Sequence, residues 1–203
     1  MKIVVIGATG TIGGAVVKLF RQRHQVIAVS RSSGDYRADI TNKASIETTL
    51  SAIGKVDAIV SAAGGAVFKP LEALTDSDFD KSLHDKLMGQ VNVVRAGAQY
   101  VLPGGSITLT SGILAQKPIP GSAAISLVNA GLEGFGRAAA LELQDAKVRV
   151  NVVSPPWVKE TLVALKMNPS SGMLADEVAK AYAKVWRAAR PGKSSTRGRL
   201  LPD

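Results

Sequence analysis

Apolar positions along this chain change period repeatedly, and the changes lay out its elements. Ile3, Val4, Val5 and Ile6 form a short, mostly β-branched run, the pattern of a strand buried on both faces. Residues 15–20 then read as the apolar side of a helix, with Lys18, Arg21 and Arg23 towards its end, where cations suit the helix dipole. Residues 25–30 (QVIAVS) predict a second strand and 36–40 a short third. Residues 43–53 predict a helix with Ile46, Leu50 and Ile53 on one side, and 57–61 (DAIVS) a fourth strand. A loop, AAGGAVFKP, leads into 71–80. One long helix is predicted over 82–100, a fifth strand over 105–110 (GSITLT), a second long helix over 122–143 and a sixth strand over 148–153 (VRVNVV). Pro155 and Pro156 break the chain; a helix over 176–189 and a short last strand over 198–201 follow. Strand alternating with helix predicts an α/β fold: a doubly wound parallel sheet of about seven strands with helices on both faces, in three layers.

The 203 residues suffice for one domain with a substantial core, spanning 1–203. There is no cysteine, which excludes disulfides, thiolate metal sites and a cysteine nucleophile. His24 and His84 are the two histidines and lack ligand spacing, so no metal is expected. No apolar run reaches membrane-span length, and Met1 leads straight into the first strand, so neither a membrane role nor a signal peptide is expected and the chain reads as cytoplasmic. The net charge is +9, and much of it lies late, at Lys180, Lys184, Arg187, Arg190, Lys193, Arg197 and Arg199. These cations interleave with alanines rather than aromatics, the composition of a solvated basic face and not of a nucleic-acid surface. Residues 170–172 and 192–195 are the expected mobile loops.

Chemistry concentrates at the carboxyl ends of the predicted strands. Gly7, Gly10 and Gly13 recur at a spacing of three between strand and helix. Such glycines allow a tight turn, a close approach of backbone to phosphate and close helix–strand contact, while the free N–H groups of the helix start attract anions. In an open parallel sheet, ligands bind where strand order reverses, which gathers Gly7 to Gly13, Arg31, Asp39, Ala62 to Gly65, Ser111 and Pro155 on one rim. The second strand ends Ser30-Arg31-Ser32-Ser33, with no acidic residue before Asp35. Arg31 offers a planar fork and Ser32 a hydroxyl to a ribose 2′-phosphate, which favours NADP(H) over NAD(H).

The whole chain resembles the short-chain dehydrogenase/reductase family, whose fold is Rossmann-like. Gly7-Ala8-Thr9-Gly10-Thr11-Ile12-Gly13 looks like its GxxGxxG motif, Ala38-Asp39-Ile40 like the segment beside the adenine, and Ser61-Ala62-Ala63-Gly64 like its Asn-Asn-Ala-Gly loop with both asparagines replaced. Thr110-Ser111-Gly112 resembles the segment bearing the active-site serine. Gly131 to Ala138 resembles the end of the catalytic helix, and Arg149 to Pro155 the strand and loop that flank the nicotinamide, with Val158 just beyond. The resemblance thus implies that Gly7, Thr9, Gly10, Thr11, Ile12, Gly13, Arg31, Ser32, Asp39, Ile40, Ala62, Ala63, Gly64, Pro155 and Val158 bind the cofactor.

The catalytic pair departs from the family. Ile125 stands at the position of the family's tyrosine and Asn129 at that of its lysine, four residues on, while Lys86 replaces an asparagine of the preceding helix. The glycine-rich end is also missing, since the sequence stops at Pro202-Asp203. Ser111, Lys86 and Asn129 are therefore the candidate catalytic groups. Two readings of Lys86 stay open: an ammonium filling the space of the lost lysine, or a surface residue. The resemblance implies hydride transfer between NADP(H) and a small carbonyl or alcohol substrate, with non-standard proton delivery; the alternative is a nucleotide-binding sensor or scaffold without catalysis. Residues 156–175 correspond to the family's variable substrate-covering segment, with Trp157, Leu162, Leu165 and Met167 as pocket-wall candidates. The helix over 122–143 is apolar almost all round apart from Asn129, Glu133, Arg137 and Glu142, and the family pairs such helices, so a homodimer or homotetramer through 82–100 and 122–143 is expected.

Overall fold

The apolar runs form the sheet. Six parallel strands, β1 (Lys2–Ile6), β2 (Gln25–Ser30), β3 (Tyr36–Arg37), β4 (Val56–Ser61), β5 (Val101–Thr110) and β6 (Arg149–Val153), pair in the order β3-β2-β1-β4-β5-β6 in the computed structural model, which describes residues 1–187. Val4 of β1 faces Ile27 on one side and Ile59 on the other, so strand order reverses between β1 and β4. Their β-branched residues are buried on both faces, as their continuous apolar runs require. One face packs Val4, Ile6, Ile59, Ile107 and Leu109 against α2 (Lys43–Ile53), α4 (Gly89–Gly97) and α5 (Ala123–Glu142). The other packs Ile3, Val5, Ala58 and Val60 against α1 (Thr11–Arg21) and α7 (Ala175–Arg187), where Tyr182 is 1 % exposed and its hydroxyl lies 2.8 Å from Thr110 Oγ1.

Several elements differ from the sequence reading. About seven strands were expected; six lie among the described residues, and 198–201 fall outside them, as do 188–189 of the last helix, the 192–195 loop and Arg190, Lys193, Arg197 and Arg199. The third strand stops at Arg37 because Asp39 folds the chain back: its carboxylate accepts from Thr41 N–H at 2.9 Å and Thr41 Oγ1 at 2.8 Å. The helix expected over 82–100 is not continuous. A short α3 (Asp76–Ser82) begins it, held by a capping box between Thr75 and Asp78; a π turn (Leu83–Met88) follows, then α4, then a 3-10 turn (Ala98–Tyr100). Between Pro155 and Asp176 a short α6 (Lys159–Ala164) forms, and Val158 bridges Met173 in parallel. Among the described residues, no helix is long and apolar enough to cross a membrane.

Candidate active site at the sheet's crossover

The glycine turn is dictated by space. Gly7 has φ +86°, and a Cβ there would stand 2.5 Å from the Ala62 carbonyl oxygen; at Gly13 it would stand 2.0 Å from the Gly7 carbonyl oxygen. The turn is tied to β2 by Gly7 N–H and Ala8 N–H, which donate to Val29 O at 2.9 and 3.1 Å. Gly10 then caps α1 with no side chain, and the first turn of α1 holds no acidic residue. The N–H groups of Thr11, Ile12 and Gly13 belong to that first turn, where no helical carbonyl reaches them. This turn, which packs too closely at Gly7 and Gly13 to admit a Cβ, presents free N–H groups that fit the phosphates of a dinucleotide.

On the β2 side of the turn, Arg31 and Ser32 are exposed. The nearby carboxylate of Asp35 is engaged in its own loop, accepting from Ala28 N–H at 2.7 Å and lying 3.6 Å from Arg21 Nη2. Hydrogen bonds from Thr41 hold the Asp39 carboxyl below its usual range, with the charges of Arg31 and His84 adding to the effect. Ile40 is buried against Gly89, and its carbonyl accepts from Asn92 Nδ2 at 3.2 Å.

On the β4 side a cleft of about 240 Å³ opens. It brings together Ile12, Ala62, Ala63, Gly64, Lys86, Ser111, Asn129, Pro155 and Val158 from the sequence-derived set, with Ile113, Leu114, Ile125 and Trp157 adding apolar wall. Trp157 is braced edge-on by Phe68, ring centroids 6.1 Å apart. Of the other pocket-wall candidates, Leu162 is buried and Leu165 is half exposed.

Lys86 occupies the π turn, pressed against Gly64, whose φ is +100° and whose added Cβ would meet Lys86 Cα at 2.8 Å. Its Nζ donates to the Ser111 carbonyl at 3.3 Å, and the side chain lines the cleft rather than the outer surface. No ion pair joins it to a carboxylate among the described residues, and burial pulls the ammonium down from 10.5 to about 8. The folded chain therefore holds this proton less well than the unfolded chain. The resulting penalty is full below about pH 8 and fades as pH rises towards 10.5. At ~1.4 kcal/mol per unit it is on the order of 3 kcal/mol. Lys86→Met should accordingly melt higher than wild type at pH 7, with the gap narrowing as pH approaches 10; equal melting temperatures at pH 7 would contradict this.

Ser111 and Asn129 face each other across β5 and α5. Ser111 is 2 % exposed; its Oγ donates to the Asn129 carbonyl and to Glu133 Oε1, both at 3.1 Å. Asn129 is 1 % exposed, and its Oδ1 has no hydrogen-bond partner among the described residues. Ile125, at the tyrosine position, lines the cleft with a side chain that carries no proton. Sequence reasoning did not single out Glu133 as a site residue. It also accepts from Gln116 Nε2, and Gln116 Oε1 in turn accepts from Ser154 Oγ at 3.4 Å. The available signal was its place one turn beyond Asn129, one of the few charged residues on a largely apolar helix.

Residues 8–191 match the family profile described as enoyl-(acyl carrier protein) reductase. The chain belongs to the short-chain dehydrogenase/reductase family. Among curated short-chain relatives, hydroxynaphthalene reductase arp2 of Aspergillus fumigatus is 32 % identical over 66 % of this chain, which spans about half (51 %) of that reductase. Among solved structures, the protein lin1944 from Listeria innocua is 37 % identical, with a TM-score of 0.86 and 96 % of each chain covered. A small-chain dehydrogenase in complex with NADPH is 27 % identical, with a TM-score of 0.80 and 92 % of this chain and 91 % of that one covered.

Proposed function

We propose that this short-chain dehydrogenase/reductase family member is an NADP(H)-dependent oxidoreductase acting on a small carbonyl or alcohol substrate, with Lys86 supplying the positive charge that the family's lysine normally supplies. The observation that carries the reading is the placement of Lys86: a cation with no counter-ion among the described residues, lodged in the cleft between Gly64 and Ser111 at the sheet's crossover. The NADPH complex of a 27 % identical relative supports the choice of cofactor. The first-turn N–H groups of α1 would hold the pyrophosphate and Arg31 the 2′-phosphate, with Ala62 to Gly64, Pro155 and Val158 beside the nicotinamide end. When bound, the nicotinamide supplies the hydride chemistry. The ammonium of Lys86 stabilises negative charge developing on the substrate oxygen, where low dielectric strengthens it. Ser111 orients that oxygen, and the apolar wall of Ile113, Leu114, Ile125 and Trp157 excludes water from a partly hydrophobic substrate.

Titration calorimetry with NADPH and NADH on wild type and Arg31→Ala tests the cofactor assignment. Wild type should prefer NADPH, and Arg31→Ala should weaken NADPH about 10-fold or more while leaving NADH unchanged, the loss of one charge-assisted fork to a phosphate. Equal NADPH affinity in the two proteins would refute the role of Arg31.

Ile125 favours a second reading, a sensor or scaffold that binds NADPH without turnover. Tight NADPH binding with no reduction of any carbonyl in a broad screen would decide for it.

We also propose a homo-oligomer through the outer face of α5, where Leu127 and Leu141 are 50 and 67 % exposed on a stripe shared with the exposed Ala130 and Ala138. Light scattering at micromolar concentration should give twice or four times the chain mass; a monomer would overturn this.

A further inference from the structure

The cleft holds a charge at Lys86 and a hydroxyl at Ser111, but Ile125 leaves no tyrosine to take up the proton of an alcohol. We propose that Glu133 fills this gap as a positioning residue that acts through Ser111 and receives the substrate's proton. This rests on the oxidoreductase reading above.

The hydrogen bonds set the direction of travel. Ser111 has one proton to donate and directs it to Glu133 Oε1 and the Asn129 carbonyl, each at 3.1 Å. Of these two acceptors the carboxylate makes the stronger, charge-assisted bond. The hydroxyl's lone pairs stay available to accept from a substrate O–H in the cleft that Ser111 lines. No ion pair among the described residues neutralises Glu133. Its other partner, the amide of Gln116, donates to it and leaves it an acceptor. Glu133 is partly exposed, so a carboxylate there has contact with water for proton exchange.

In alcohol oxidation the carbinol C–H bond breaks and its electron pair goes as hydride to NADP⁺, the oxidant, while C=O forms. The substrate's O–H proton passes to Ser111 Oγ as the proton of Ser111 passes to Glu133, which releases it to solvent. Reduction runs the same steps backwards and takes one proton from water. Lys86 holds the transient negative charge on oxygen in both directions.

The test combines kinetics with stability. Glu133→Gln, which keeps the size and the hydrogen-bonding capacity of the side chain, should lower kcat about 100-fold, the scale of a lost general base, with KM and NADPH affinity within about two-fold of wild type. The double variant Ser111→Ala/Glu133→Gln should be no slower than Ser111→Ala alone, because groups acting as a unit are not additive. Without nucleotide, the melting-temperature losses of the two single variants should sum to more than that of the double. Glu133→Asp, which withdraws the carboxylate at unchanged charge, should show the same kcat loss and serves if Glu133→Gln does not fold. Coupling in stability with multiplying kinetic losses would mean a purely structural bond and overturn the proposal. So would additive melting losses, or an active wild type indifferent to Glu133→Gln. A wild type that binds NADPH and turns over nothing overturns the oxidoreductase reading and this inference together.

Discussion

Gly13→Ala is expected to lose NADPH binding by about 100-fold or more, roughly 2.7 kcal/mol of affinity. The added methyl would stand 2.0 Å from the Gly7 carbonyl oxygen and 2.7 Å from its carbon, both backbone atoms that no rotamer change can move. Relief requires α1 to slide away from β1, which takes the first-turn N–H groups off their aim at the phosphates and costs about 1–3 kcal/mol of stability through overpacking. Gly10→Ala is the control. Its methyl would meet only the Gly7 carbonyl, at 3.4 Å, so that variant should fold like wild type and lose less affinity, through crowding of the ligand alone. Calorimetry with NADPH, on proteins shown by circular dichroism to be folded, separates the two. A Gly13→Ala chain with wild-type affinity would show that the turn is scaffold and not cradle.

Lys86→Ala should reduce turnover by about 100- to 1,000-fold, the usual consequence of removing one preorganised group that stabilises an oxyanion. The side chain is the one cation lining the cleft among the described residues, and burial makes its charge act through a low effective dielectric. Lys86→Arg should recover little of the loss: a planar fork does not replace a compact ammonium whose neighbours are Gly64 and the Ser111 carbonyl. Steady-state rates at saturating NADPH check both variants. Unchanged turnover together with unchanged NADPH affinity in Lys86→Ala would remove Lys86 from the site.

Much of this site is legible along the chain because its parts sit at strand ends, and strand ends are read from short apolar runs. Ile6 before Gly7, Ser61 before Ala62 and Thr110 before Ser111 each mark where a buried strand meets the rim, and the parallel architecture gathers them. Lys86 is different. Its direction depends on helical phase, and the π turn from Leu83 to Met88 resets that phase, so no 3.6-residue periodicity carried through 82–100 could aim it. Glu133 was hidden for another reason: its significance lies in a contact with Ser111, 22 residues away and in a different element. The short α6 escaped notice because six residues beside prolines carry no periodicity, and β3 came out shorter because a local Asp39–Thr41 turn outcompeted strand pairing.

The π turn also bears on how such a site can be altered. A helix that takes up one additional residue as a wide turn confines the disturbance to that turn, and the segments before and after it keep their own faces. Here α4 still buries Val91, Val93 and Val94, while the amino-terminal end of α3 keeps its Thr75 cap. A one-residue deletion between Leu83 and Met88 would tighten the helix to ordinary pitch and swing position 86 by about 100°, out of the cleft, with those buried valines undisturbed. In this fold the direction of position 86 is thus separable from the core beneath it.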